Sequence, residues 1–216
     1  MPTHVLNTEI KLIAMRSEHV PAVVNIHLRC FPSFFLTFLG PRFLTLLYGE
    51  VLRQSEHVAL VAVKGDGEVI GFVSGVVGPA GFYGRLARRR WFSFGTASLG
   101  AVLRRPLILK RLVRALWWSY DVRQVAAPAA FVSLAVVPKT EGRGVGRALV
   151  LRFLEEMRGK GVPKVSLVTD RDNNDRVNEF YCKLGFSLTR NFVTPEGRSM
   201  NEYVIVLESA PACSGP

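Results

Sequence analysis

Apolar and polar positions in this chain switch between a period near two and a period near 3.6, and the switches mark its elements. Ile10–Met15 is apolar apart from Lys11 and predicts a first strand. His19–Arg29 predicts a helix, with Val20, Val23, Val24 and His27 near one face; Pro32 ends it or starts a second short helix. The run Phe34–Gly40 is too aromatic for a solvated loop and suits either the core or the wall of a substrate pocket. Val58–Lys64 and Val69–Val76 read as paired strands, with Gly65, Asp66, Gly67 and Glu68 supplying the hairpin turn. From Arg85 to Arg114 the pattern is helical, broken near Phe94–Gly100. There Leu109, Leu112, Val113 and Leu116 fall opposite Lys110, Arg111 and Arg114.

The second half alternates strand and helix. Phe131–Val137 predicts a strand stopped by Pro138, Gly142–Gly146 a turn, and Arg147–Arg158 an amphipathic helix. Val165–Thr169 is the next strand, and Asp175–Leu184 a helix closed by Gly185. Phe192 and Val193 lie near a penultimate strand, Tyr203–Leu207 forms the last, and Ala210–Pro216 is a tail without structural content. No internal repeat is present. The expected organisation is one domain over residues 1–209, carrying a basic helical insertion over 80–120 and a tail over 210–216.

Composition narrows the class. With 216 residues, 49% hydrophobic and 21% charged, the chain can bury a core, and disorder is excluded as a description of the whole. Cys30, Cys182 and Cys213 are too few and too scattered for a disulfide framework or a metal knuckle, which suits a reducing compartment. The first 30 residues carry charges throughout, and no uncharged run reaches the roughly 18 residues of a membrane span. A cytoplasmic protein is expected. Of the formal net charge of +11, nine come from residues 69–120, which hold nine basic residues and no acidic ones. No nucleic-acid reading motif accompanies that segment, so nucleic acid is not favoured. A solvated basic helix face, or contact with an anionic membrane or partner through residues 85–114, fits it better.

The most informative run is Leu134-Ala135-Val136-Val137-Pro138-Lys139-Thr140-Glu141-Gly142-Arg143-Gly144-Val145-Gly146-Arg147. An apolar strand enters, glycines at alternate positions make a turn, and an apolar-periodic helix leaves. Glycines let the chain approach an anion closely, and a helix start adds outward N–H groups and a positive potential. The spacing is neither the dinucleotide fingerprint nor a P-loop.

At this run the chain resembles the GNAT superfamily of acetyltransferases, whose signature is Arg or Gln, two variable residues, Gly, one variable residue, then Gly or Ala. Gly144 and Gly146 match, Arg143 precedes them, and Glu141 stands where Arg or Gln is usual. A second stretch, Asn174 to Phe186, resembles the family's other hallmark through Asn174, Val177, Phe180, Tyr181, Gly185 and Phe186. The resemblance implies an α/β fold: a mixed, strongly twisted central sheet flanked by helices. It implies acetyl-CoA as co-substrate. Ala135, Val136 and Val137 would hold the pantetheine arm; Arg143, Gly144, Val145, Gly146 and Arg147 the pyrophosphate; and Asn174 the cofactor or the helix geometry. Tyr181 would be the general acid that protonates the departing thiolate in a direct transfer to a primary amine.

The base is not legible. Asp170 and Asp172 follow the strand Val165–Thr169, and His27 and Glu68 are further candidates. Cys182 has no accompanying histidine and is expected to be a buried structural cysteine, and the four scattered histidines have no metal-ligand spacing. For the acceptor, a small amine or amino sugar comes first and a protein N-terminus second. A polyamine fits less well because the insertion is basic. The competing function is a non-catalytic module that binds an acyl-CoA or another anionic ligand.

Overall fold

The computed structural model describes residues 4–6, 10–32, 34–79, 127–140, 144–194 and 197–207. The expected basic insertion, Glu141, Gly142, Arg143 and the C-terminal tail lie outside the described residues. Eight strands form one mixed sheet: β1 (His4–Leu6), β2 (Ile10–Ala14), β3 (His57–Lys64), β4 (Val69–Val77), β5 (Ala129–Val136), β6 (Lys164–Asp170), β7 (Ser187–Val193) and β8 (Ser199–Val206). Their spatial order is β1-β2-β3-β4-β5-β6-β8-β7, antiparallel throughout except where β5 meets β6. Among the described residues five α-helices accompany them: α1 (Val20–Cys30), α2 (Phe35–Phe38), α3 (Pro41–Val51), α4 (Val145–Gly159) and α5 (Asp175–Lys183). The mixed α/β sheet flanked by helices is the fold class expected from the chain.

Each face of the sheet has its own core. Helices α4 and α5 cover one face, where Leu149, Val150, Phe153, Met157 and Tyr181 pack with Val73, Val165, Leu167 and Tyr203. Helices α1 and α3 cover the other over β3, β4 and β5, where Val23, Val24, Leu44, Leu47 and Tyr48 meet Val61, Phe72 and Ala135. The predicted face of α1 holds, since Val20, Val23, Val24 and His27 are all buried. Helix α3 was not read from the sequence. It begins at Pro41 after Gly40, whose φ of 88° no side chain favours, and it buries Phe43, Leu44, Leu47, Tyr48 and Val51.

His27 is a buried polar residue in the second core. Its Nδ1 lies 2.8 Å from the Tyr48 hydroxyl, and its Nε2 has no partner. Burial pushes its pKa from 6.5 down to about 4. The folded state therefore favours the neutral ring. The stability this contributes is whole above pH 6.5 and is lost as pH falls through about 4. A loss on the order of 3 kcal/mol is expected across that window. Urea unfolding at pH 7, 5.5 and 4 measures it, and His27→Gln, which cannot titrate there, should flatten the dependence. An unchanged pH dependence in that variant would exclude His27 as its source.

Candidate active site

The parallel neighbours β5 and β6 are joined only at Ala129↔Val165 and Ala130↔Ser166. Beyond those pairs they part, while β5 stays paired with β4 along its length and β6 with β8. A wedge opens toward the C-terminal ends of two parallel strands, the place where open α/β sheets take ligands. Its cause is local. The pairing of β4 with β5 shifts between Ser74↔Ser133 and Gly75↔Phe131, leaving Val132 as the extra residue of a bulge that bends β5.

Strand alternation settles which backbone groups the wedge receives. The Val137 N–H donates to the Ile70 carbonyl at 2.8 Å, on the β4 side. The backbone groups of Ala135 and Val137 thus face β4, and those of Leu134 and Val136 face the wedge. The Val136 carbonyl is accordingly free of β4 and accepts from Cys30 Sγ at 3.5 Å. Of the three residues expected to hold a pantetheine arm, Val136 turns its backbone groups to the wedge, and Leu134 does so as well.

Past β5 the chain turns into α4. Gly144, the N-cap, has φ 76°, a left-handed conformation that favours glycine. Among the described residues no side chain caps α4, and no acidic residue sits in its first turn. The N–H groups of Val145, Gly146 and Arg147 therefore keep their capacity for an anion at the positive end of a 15-residue helix. Gly146 has ordinary room for a Cβ, 3.7 Å from Phe180 and Val136. Arg143 lies outside the described residues.

Tyr181 is on α5, 8% exposed, within an aromatic cluster of Phe180, Phe186 and Tyr203 at centroid distances of 5.2, 5.7 and 6.4 Å. Its hydroxyl donates to no group among the described residues. Burial pushes its pKa up to about 12, so the phenol holds its proton.

Asn174 spends its amide on the junction of β6 and α5, donating to Thr169 Oγ1 and the Asp170 carbonyl, each at 2.9 Å. Asn178, one turn on, extends the same clamp. Its Nδ2 lies within 3.2 Å of the Asp170 carbonyl, and its Oδ1 accepts from Asn201 and Tyr203 at 3.0 Å each. Asn178 falls inside the quoted hallmark but was not singled out, although its spacing of four from Asn174 puts both on one helix face. Asn178→Ala is expected to cost about 2 kcal/mol, because Asn201 and Tyr203 lose their shared acceptor. Chemical denaturation reads that loss, and a change below about 0.5 kcal/mol would discount the network.

Asp170 ends β6 at the mouth of the wedge. Arg198, from the β7–β8 connection, grips its carboxylate with Nε at 3.1 Å and Nη2 at 2.7 Å to both oxygens. The same guanidinium lies 4.8 Å from the centre of the Phe34 ring, in the α1–α2 connection. Nothing in the chain's periodicity pointed to Arg198. The other candidate bases are committed elsewhere. Asp172 pairs with Arg171 at 2.8 Å, which holds its carboxyl below the usual range. Glu68 pairs with Lys64 in the β3–β4 turn, and His27 is held by Tyr48. Cys182 is exposed, which corrects the expectation of a buried cysteine: it follows Tyr181 on α5, where Tyr181 is the buried residue. Among the described residues no cluster of His, Cys, Asp or Glu could hold a metal ion, and no helix is long and apolar enough to cross a membrane.

Known proteins resemble the chain in part of its sequence and in its fold. The mycothiol acetyltransferase of Nocardia farcinica is 43% identical over 54 residues, which is 25% of this chain and 18% of that protein. The chain thus aligns with less than a fifth of that curated relative. The ribosomal-protein-S18-alanine N-acetyltransferase of Escherichia coli superposes with a TM-score of 0.58 at 14% identity, over 96% of this chain and 99% of that one. A spermidine/spermine N-acetyltransferase of Vibrio cholerae gives a TM-score of 0.56 at 15% identity, over 94% and 95%. At such identities these structures speak for the fold. Residues 110–186, which include the glycine turn, the α4 start and Tyr181, match the profile of the Acetyltransferase (GNAT) family.

Proposed function

We propose that the chain is an acetyl-CoA-dependent N-acetyltransferase acting on a primary amine. The observation that carries it is the wedge between β5 and β6, bordered by an uncapped helix start on one side and a buried, protonated tyrosine on the other. The Val136 and Leu134 backbone groups suit the amide-bearing pantetheine arm, as an added strand would pair there. The N–H groups of Val145, Gly146 and Arg147 suit a pyrophosphate, with Arg143 adjacent in sequence.

In the ternary complex the neutral amine attacks the thioester carbonyl. The C–N bond forms, the C–S bond breaks, and the departing thiolate takes the proton of the Tyr181 hydroxyl. The amine's own proton leaves to water. Asp170 is not the base in this scheme, because Arg198 occupies both its oxygens. It positions Arg198 instead. Asn174 serves through the strand–helix junction and not by touching the cofactor. A small amine remains the first choice of acceptor and a protein N-terminus the second.

Free-thiol release from acetyl-CoA against a panel of amines tests the proposal. Amine-dependent release with matching acetylated product supports it. Specific acetyl-CoA binding with no transfer to any amine would replace it with a non-catalytic binding module.

A further inference from the structure

The side of β6, β8 and β7 opposite α5 continues the face on which α1 and α3 pack, and no helix among the described residues covers it. Alternation and register place Val168, Asp170, Met200, Glu202, Arg190 and Phe192 there. Val168 is 49% exposed, whereas Met200 and Glu202 are buried, so solvent reaches this trough at Val168 and at the arginine side chains. The trough runs from the mouth of the wedge, where the acceptor must approach.

Its charges are arranged in two similar units. Arg198 binds Asp170 and lies over Phe34; Arg190 binds Glu202 Oε2 through Nε at 2.9 Å and lies 4.9 Å from the Phe192 ring centre. In each unit a carboxylate holds one edge of the guanidinium and an aromatic ring its plane, which fixes its orientation. The side chains stay 40% and 42% exposed. Asp170 is engaged at both oxygens and Glu202 at Oε2. By contrast, Arg198 Nη1 and both terminal nitrogens of Arg190 have no partner among the described residues. Among the described residues, the polar capacity shown to be unused in the trough is that of the guanidinium donors. An ammonium would find no free carboxylate there, whereas an oxyanion would find fixed N–H groups.

We propose that Arg198 and Arg190 anchor an acidic function of the acceptor, so that the preferred substrate is an amine that also carries a carboxylate or phosphate. This rests on the acetyltransferase reading above and names the substrate class of that site.

The test compares matched acceptors in the thiol-release assay with the full chain: glucosamine against glucosamine 6-phosphate, alaninamide against alanine, and spermidine as a polycation. At least one anionic member should show a KM lower than its neutral partner by about tenfold or more, and the pair that shows it tells phosphate from carboxylate. Arg198→Ala and Arg190→Ala should each erase most of that advantage while leaving the neutral member's KM within about twofold. Arg198→Lys, which keeps the charge and loses the fork, should fall between, and thermal unfolding confirms that each variant folds. Equal KM values within both pairs, spermidine as the best acceptor, or variants that weaken both members alike would overturn the proposal. If no amine is acetylated, the transferase reading fails and the anion site is judged separately by thermal unfolding with glucosamine 6-phosphate or alanine. Stabilisation lost in Arg198→Ala sustains the site; no stabilisation, or stabilisation indifferent to that variant, sinks it.

Discussion

Tyr181→Phe should lower kcat by about 10²- to 10⁴-fold, the usual worth of a positioned general acid. The substitution keeps the ring that packs on Phe180, Phe186 and Tyr203 and removes only the hydroxyl. Affinity for acetyl-CoA should stay within about twofold and stability should barely move, because that hydroxyl has no partner among the described residues to lose. The pH profile gives a second readout. With its pKa pushed up to about 12, the phenol keeps its proton across the neutral and alkaline range. Loss of this acid therefore produces no alkaline fall in kcat until near that pH. On the acid side, kcat/KM should rise with pH as the acceptor amine becomes neutral. A Phe variant retaining half of wild-type turnover would remove Tyr181 from the chemistry and leave it a core residue.

Gly75→Ala should destabilise the fold by about 3 kcal/mol, at the top of the range for overpacking. A Cβ there would sit 2.3 and 2.6 Å from two atoms of the Phe153 ring and 2.7 Å from the Ala130 carbonyl oxygen. The ring is itself held, 4.3 Å from the Phe131 centroid and fully buried, so it has nowhere to turn. Pairing with Phe153→Leu should recover only part of the loss, since the third contact is backbone. That backbone belongs to the last residue at which β5 and β6 are joined, and pushing it also shifts the vertex of the wedge. Urea midpoints at constant slope measure the effect. A loss under about 0.5 kcal/mol would mean the bulge can absorb a methyl group.

The division of labour within the fold follows from these features. The α4–α5 face, with its uncapped helix start and buried tyrosine, carries the groups suited to a common acyl donor. The opposite face, with Phe34, Arg198 and Arg190, carries the groups that can distinguish acceptors. A scaffold can keep the first while its connections vary the second.

Much of the architecture was legible because burial imposes period and punctuation. Gly65 to Glu68 announced the β3–β4 turn, Gly185 closed α5 with φ 92°, and the valines of α1 marked its inner face. Helix α3 was missed beside the aromatic run before it, although Pro41 and its apolar spacing were available. The expected insertion lies outside the described residues and adds nothing to either side.

By itself the sequence determined the order of strands and helices apart from β1 and α3, and two ordered motifs with Tyr181 among them, because local spacing and residue chemistry suffice for both. Only the tertiary structure decided which backbone groups face the wedge: that depends on the register of β5 against β4, which turns those of Leu134 and Val136 toward it. Nor could the chain alone show that Asp170 is closed by Arg198, 28 residues away, or that Phe34 meets the same guanidinium from the far end of the molecule. Contacts between distant exposed side chains leave no periodicity behind, and Asp170, Arg198 and Phe34 meet through such contacts.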